Sequence, residues 1–512
     1  MIDAITISRR RALALGAGGL ALLGGRRGHA APGGGTLTLG MVNYPPNIRP
    51  FEATGSSQIL VKQCLHRGLL SYDAQGALVP EVAAEWRAES PAVHVFRLRE
   101  AARFHNGDRV TADDVKFSIE QIAAAKSTAY LRADFGIVDR VEVVDASTVR
   151  IVLQQPSAPF PHLLASFHAP ILSAKVGAAD PNPPVGCGPF RFVSAERGVA
   201  IEVERFADFY KPGLPKLPRI RFQAYGDENL RVAALQAGDV DIIEGVPWQN
   251  MDGLEKNARI RMDSTIGPFM YLVFNVKSGP FTNPKLRQAV AFAIDRAEVV
   301  KATMYGRGKP LEALPYPPGT PFADAEDRLW EHDPDRAKKL LAEAGMAGGF
   351  AAKLLATSSP LLHQYTAEVV QQHLAKIGVQ VELQLHEWST RVAMGGRGQY
   401  EFAVMGTAGN WPDPDSLSPL IGTAPAAYPR SFGFSSARID GLLQAGRAEL
   451  DTGKRRAIYR DLQAAAAEEV PIVGLAWRSQ AFGLQASVQG FQNLPGFLTF
   501  YSGITLENTV KV

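Results

Sequence analysis

In residues 93 to 99, Val-His-Val-Phe-Arg-Leu-Arg, His94, Phe96 and Leu98 point one way and Val93, Val95 and Arg97 the other, the period-2 pattern of a strand. The preceding Pro-Glu-Val-Ala-Ala-Glu-Trp (80–86) reads as a short helix start, and Asn106-Gly107 turns the chain tightly. Thr111 followed three positions later by Asp114 predicts a helix N-terminus, with Val115, Ile119 and Ile122 as its apolar face. Elsewhere, 36–42 (TLTLGMV) predicts a strand and 56–70 (SSQILVKQCLHRGLL) a helix. Residues 141–153 form a hairpin pattern around Asp145-Ala146, and 366–378 then 379–385 give a helix, a Gly378 stop and a strand. Helical and strand patterns alternate without a repeat period, which predicts an α/β (α+β) fold.

Residues 1–30 read as an export leader and are set apart from the fold. Ser8-Arg9-Arg10-Arg11 opens it in twin-arginine style, although Ala12 stands where a Phe is preferred. The Gly/Ala-rich run that follows is too short to span a bilayer core, which needs about twenty residues. Gly28-His29-Ala30 places cleavage between Ala30 and Ala31, with no cysteine there to carry a lipid anchor. Removing the leader changes the charge picture. It holds five Arg and one Asp, so the remainder carries 49 basic and 50 acidic groups, and the pI near 8.7 gives no reason to expect nucleic acid. With 46% hydrophobic residues and well over 400 residues left, two or three domains are expected.

Two cysteines, Cys64 and Cys187, remain after cleavage, and in an oxidising compartment they either form a disulfide or lie buried as thiols. No G-x-S-x-G, phosphate loop or H-E-x-x-H is present; His386-Glu387 comes nearest, but Thr390 stands at the second ligand position. Gly395-Gly396-Arg397-Gly398 reads as a loop. The ten histidines are scattered without metal-ligand spacing, so neither an enzyme nor a resident metal or other cofactor is expected.

The segment 78–122 resembles, residue by residue, the hallmark of the bacterial extracellular solute-binding proteins of family 5, the peptide, nickel and opine group. Pro80, Ala83, Trp86, Phe96, Leu98, Arg99, Phe104, His105, Gly107, Thr111, Ala112, Asp114, Val115, Phe117 and Ser118 fall on its pattern. The likeness continues through VGCGPFRF (185–192), AGDVDII (237–243), 271–296, DPDRAKKLLAEAG (333–345) and VPIVGLAW (470–477). It implies a two-lobed periplasmic binding protein with a hinge and an extra domain on the first lobe. Domain I would take 36–75, 185–265 and 483–512, domain II 76–184 and domain III 266–482. It further implies a monomeric periplasmic receptor that closes on a small organic or peptide-like solute and delivers it to the permease subunits of an ABC importer. A metal-chelate receptor is the second reading within the family, and a secreted hydrolase the one outside it.

The same resemblance points to three places for ligand contacts. These are the loop 407–417, with Thr407, Asn410, Trp411 and Asp413; the exit of the strand 379–385, with Trp388 and Arg391; and the segment 50–57, with Thr54. Trp411 is the better candidate for a cleft wall because prolines stiffen its loop, whereas Trp388 reads equally well as a packed aromatic. In dipeptide receptors of the family an acidic residue holds the ligand ammonium and an Arg its carboxylate. Alignment puts Asn410 at the acidic position, Thr407 at a Trp and Thr357 at the Arg. A free dipeptide is therefore a poor candidate, and a neutral or anionic solute, or a longer or blocked peptide, a better one. Arg391 and Arg430 are expected to meet any negative group.

Overall fold

The computed structural model describes residues 35–177, 183–323, 328–358 and 361–512; the leader and its Ala30/Ala31 cleavage site lie outside them. An eleven-stranded mixed sheet runs through both lobes. Its spine is a pair of long antiparallel strands, Ile260–Phe274 and Val473–Gln485, in register from Ile260 opposite Gln485 to Leu272 opposite Val473. On one side, Ile242–Glu244 joins the spine and leads through Thr36–Met41 and Arg219–Ala224 to Ala200–Arg205 and Phe190–Glu196. On the other, Phe402–Thr407 leads to Phe350–Thr357 and Val379–His386. Each half carries its own helices, and the spine connects them.

Phe269–Phe274 is apolar at every position because it is covered on both faces. Met270, Leu272 and Phe274 enter a core shared with the helices Pro284–Ala293 and Leu361–Ala375; Phe269, Tyr271 and Val273 enter another with Ala437–Ala448 and Thr452–Glu469. Between Ile266 and Phe269 the ladder slips. Pro268 has no N–H to give it, and a Cβ on Gly267 would lie 1.9 Å from the Gly496 carbonyl oxygen.

A separate antiparallel sheet has the order Ala83–Ser90, Val93–Leu98, Thr148–Leu153, Val138–Asp145, with Phe96, Leu98, Val149 and Ile151 in its core. The helix expected at 80–86 is not there. Residues from Ala83 onward form a strand with Trp86 opposite Phe96, because pairing along Val93–Leu98 outweighs the weak helical preference of Glu-Val-Ala-Ala-Glu.

The family-like motif residues act as braces. Thr111 donates from its N–H and its hydroxyl to Asp114 Oδ2, both at 2.8 Å, capping the helix Ala112–Ala123. Asp114 Oδ1 accepts from the Ala174 N–H, and Ser118 Oγ from the Leu172 N–H, so one helix turn pins a distant segment. His105 Nδ1 accepts from the Gly186 N–H at 3.3 Å, so the ring donates from Nε2 to the Gly188 carbonyl at 3.1 Å. Burial lowers its pKa to about 4, keeping it neutral. Gly186 and Gly188 cannot be replaced without backbone movement, since a Cβ would meet Leu65 O at 1.9 Å and Cys64 O at 2.4 Å.

Beneath this junction lies an ion network. Arg67 meets Glu507 at 2.8 Å and Glu81 at 3.3 Å, Lys211 reaches both carboxylates at 2.8 Å, and Tyr210 donates to Glu81 at 2.5 Å. It ties the first helix, the entry to the four-stranded sheet and the C-terminal segment together. Of the two readings for the cysteines, the disulfide is set aside: Cys64 and Cys187 are separate buried thiols, each with its pKa pushed up to about 12 by burial. Alkylation followed by mass spectrometry is expected to find no modified cysteine in the native protein and two after denaturation without reductant.

Candidate functional site

Three strands of the second lobe, Phe350–Thr357, Val379–His386 and Phe402–Thr407, are mutually parallel, with Thr357 opposite His386 and Leu354 opposite Phe402. Their carboxyl ends, Thr357, His386 and Thr407, therefore share one edge, where ligands of open α/β sheets bind. The helices Leu361–Ala375 and Trp388–Gly396 follow the first two of these ends. Thr407 also lies opposite Phe269, beside the slip in the spine.

Trp388 stands open at this edge, 44% exposed. Its ring meets His363 at 6.0 Å and Tyr428 at 6.1 Å, both edge-on, and the Arg391 guanidinium lies 5.1 Å from its centre. Arg391 is buried, and its Nη2 donates to Val404 O. Arg430 is also buried but is turned onto its own loop, donating from Nη2 to Gly422 O and Phe434 O. Thr357 is fully buried at the strand end.

The loop after Thr407 closes the lobes on each other. Tyr130 Oη donates to Asn410 Oδ1 and Tyr501 Oη to Asn410 O, each at 2.9 Å, and the Ala158 N–H donates to Arg447 O at 2.8 Å. Trp411 does not wall a cleft. Only 1% exposed, it is inserted into the core built on the four-stranded sheet, beside Leu498 and Tyr501. The stiff prolines aim it inward, and the open ring is Trp388. Asp413 is held by both oxygens against Arg455 at 2.7 and 2.9 Å and also accepts from the Asp415 N–H; Asp415 pairs with Arg447 at 2.8 Å. These acids brace the loop.

From the first lobe, Thr54 donates its N–H to Gln58 Oε1 at 3.0 Å, and its hydroxyl is buried without a partner. Lys62 donates to Glu52 O at 2.9 Å, and burial lowers its pKa to about 7. Glu244 ends the strand Ile242–Glu244 against a small hollow with Ser56, Gln480 and Thr499, its Oε2 accepting from Ser57 Oγ at 2.9 Å. Sequence reasoning missed His363, Arg478, Tyr130 and Glu244, because each comes from a different element and no spacing links them. Among the described residues, no group of three His, Cys, Asp or Glu side chains is placed to hold a metal, and no helix is long and apolar enough to cross a membrane.

Comparison with known proteins bears on the family and the fold. The profile described as "Bacterial extracellular solute-binding proteins, family 5 Middle" matches residues 77–428. The glutathione-binding protein GsiB of Pectobacterium atrosepticum is 28% identical over 467 residues, covering 88% of this chain and 90% of that one; GsiB of Escherichia coli K12 is 27% identical over 463 residues with the same coverage. The solved structure of AgaA from A. tumefaciens R10 in complex with agropinic acid superimposes with a TM-score of 0.85 at 38% identity, covering 93% of this chain and 99% of that one. NikZ of Campylobacter jejuni with Ni(L-His), at 22% identity, TM-score 0.79 and coverage of 93% and 99%, shares the fold. A two-lobed α/β scaffold, a profile spanning most of the chain and a 38% identical relative covered almost end to end make this protein a member of the family 5 bacterial extracellular solute-binding proteins, the periplasmic receptors of ABC importers.

Proposed function

We propose that this receptor captures a small organic solute other than a free dipeptide between the carboxyl edge of the second lobe and the first lobe. In this reading Thr54, Thr357, Trp388, Arg391, Thr407 and Asn410 lie at or around the solute, and closure signals occupancy to the permease in the periplasm. Gly267-Pro268 and the facing stretch of the spine serve as the hinge between domains. The observation that carries the proposal is the state of the acids in the 407–417 loop. Asp413 and Asp415 are committed to Arg455 and Arg447, and Asn410 to Tyr130, so no carboxylate of that loop is left to receive a ligand ammonium. AgaA, at 38% identity, was solved with agropinic acid, which supports a small organic acid ahead of a simple dipeptide. A nickel chelate, whose organic part supplies most of the metal's ligands, is the second reading.

A thermal-shift screen with free dipeptides, glutathione, agropinic acid, sugars and nickel–histidine tests the proposal. A true solute at 100 times its Kd is expected to add about 2.7 kcal/mol of stability, while ordinary free dipeptides leave the midpoint unchanged. Micromolar binding of free dipeptides, or metal-dependent binding alone, would replace this reading.

A further inference from the structure

The domain built on the four-stranded sheet holds the second lobe by contacts that lie close together. Tyr130 Oη donates to Asn410 Oδ1 at 2.9 Å, the Ala158 N–H donates to Arg447 O at 2.8 Å, and the Trp411 ring shares that domain's core with Leu131 and Phe135. Four residues after Tyr130, in the short helix Arg132–Phe135, stands the half-buried Asp134. Across the seam is the pair Asp415–Arg447, in which the guanidinium already grips Asp415 through Nε and Nη2. Among the described residues Asp134 has no ion-pair partner of its own. An acid of one lobe therefore faces an acid of the other across a cation that is taken, and this works against the contacts on either side of it.

We infer that this seam is a proton-operated latch: the four-stranded-sheet domain grips the second lobe in the closed receptor, ionised Asp134 loosens the grip, and closure takes up a proton there. The inference rests on the receptor closing around its solute, whichever solute that is. Burial, then the Asp415 charge, raise the pKa of Asp134 to about 6, with Arg447 working against them. In the open receptor water surrounds the carboxyl and its value returns to the ordinary one of about 3.9. A group whose pKa is higher in the closed state favours closure when protonated. The grip is thus complete below about pH 4 and is lost as pH rises through about 6. The other groups along the seam keep their state over that range. Burial raises the pKa of Tyr130, so its hydroxyl stays protonated, and Asp413 and Asp415 are tied to Arg455 and Arg447. Burial also keeps two histidines neutral, His162 opposite Asp413 and His168 against the Tyr130 ring. Lys62 behind His168, its pKa lowered by burial to about 7, does titrate, but its contacts with Glu52 O and His168 do not cross to the second lobe.

Calorimetry on the full mature chain with agropinic acid and glutathione, together with small-angle X-ray scattering of the unliganded protein, tests the latch. A solute held between lobes binds in proportion to the closed population, so the parent is expected to bind about tenfold more tightly at about pH 5 than at about pH 7.5. Near pH 6 binding should take up about half a proton, read from the dependence of the heat on the buffer's ionisation enthalpy. Asp134→Asn should bind at both pH values as tightly as the parent does at the lower one, with no proton uptake. Tyr130→Phe, which loses the bond to Asn410, should bind more weakly at both pH values and keep the pH dependence. An Asp134→Asn receptor with the parent's pH dependence and proton uptake, or a parent with neither, would overturn the latch and leave the receptor standing. If neither probe binds, the choice of solute class falls, and scattering decides the latch alone. A more compact Asp134→Asn protein than parent at about pH 7.5 would support it, and identical profiles at both pH values would overturn it.

Discussion

Arg67→Met is expected to lower the unfolding free energy by about 3–5 kcal/mol, the cost of breaking a buried ion pair from one side. Arg67 bridges Glu81 and Glu507 in a site where all three side chains are less than a tenth exposed. Methionine fills the volume but leaves Lys211, itself a quarter exposed, to compensate two carboxylates. Denaturant titration should show a lower midpoint at unchanged slope. Arg67→Met with Glu507→Gln should recover part of the loss, because the variant's fault is the surplus negative charge. The effect has a pH signature. Burial works against the Glu81 carboxylate, but Lys211 and Arg67 outweigh it and hold its pKa below the ordinary 4.5. Its stabilising contribution is complete above that value and is lost as pH falls through the folded pKa, so parent and variant should converge in acid. A difference below about 1 kcal/mol at neutral pH would mean that Lys211 alone satisfies the site.

Arg455→Met is expected to cost a similar amount, about 3–5 kcal/mol, and to weaken solute capture as well. The guanidinium holds Asp413 from both sides in a site where the two side chains are 7% and 4% exposed. Asp413 in turn sets the turn that carries Asn410 and Trp411 across to the first lobe. Every 1.4 kcal/mol taken from the closed arrangement raises Kd about tenfold. Asp413→Asn, which removes the charge and keeps the shape, should cost less than Arg455→Met, and Arg455→Lys should lie between, since an ammonium cannot match the two-point grip. An Arg455→Met protein with parental affinity would show that the loop is not part of closure.

The strands and the Thr111 cap were legible because they depend on spacing within one segment. The segment 80–86 was misread for the complementary reason: Ala and Glu favour a helix locally, and the partner strand that overrides them comes ten residues later. At the site, residue type was legible and environment was not. Arg391 and Arg430 look alike in sequence, yet Arg430 faces the carbonyls of its own loop while Arg391 keeps two nitrogens free of them. Trp411, the better candidate for a cleft wall, is buried, and Trp388, which reads equally well either way, is the open ring, since exposure is decided by which lobe's core lies opposite. His363 and Arg478 carried no signal, because what joins them to Arg391 is the meeting of a helix, a crossing strand and a strand exit.

The shared sheet also sets an order of assembly. Ile242, in the first lobe, pairs with Leu484, about 240 residues later, which at a ribosome's pace is roughly 12–50 s of synthesis. Until the strand Val473–Gln485 emerges, the first lobe's sheet has no neighbour beyond Ile242–Glu244, and Arg67 waits longer still for Glu507. The second lobe, contiguous apart from that same strand, has most of its pairing partners earlier. The part of the chain made first is thus completed last, so a nascent receptor stays open at its N-terminal half for most of its synthesis.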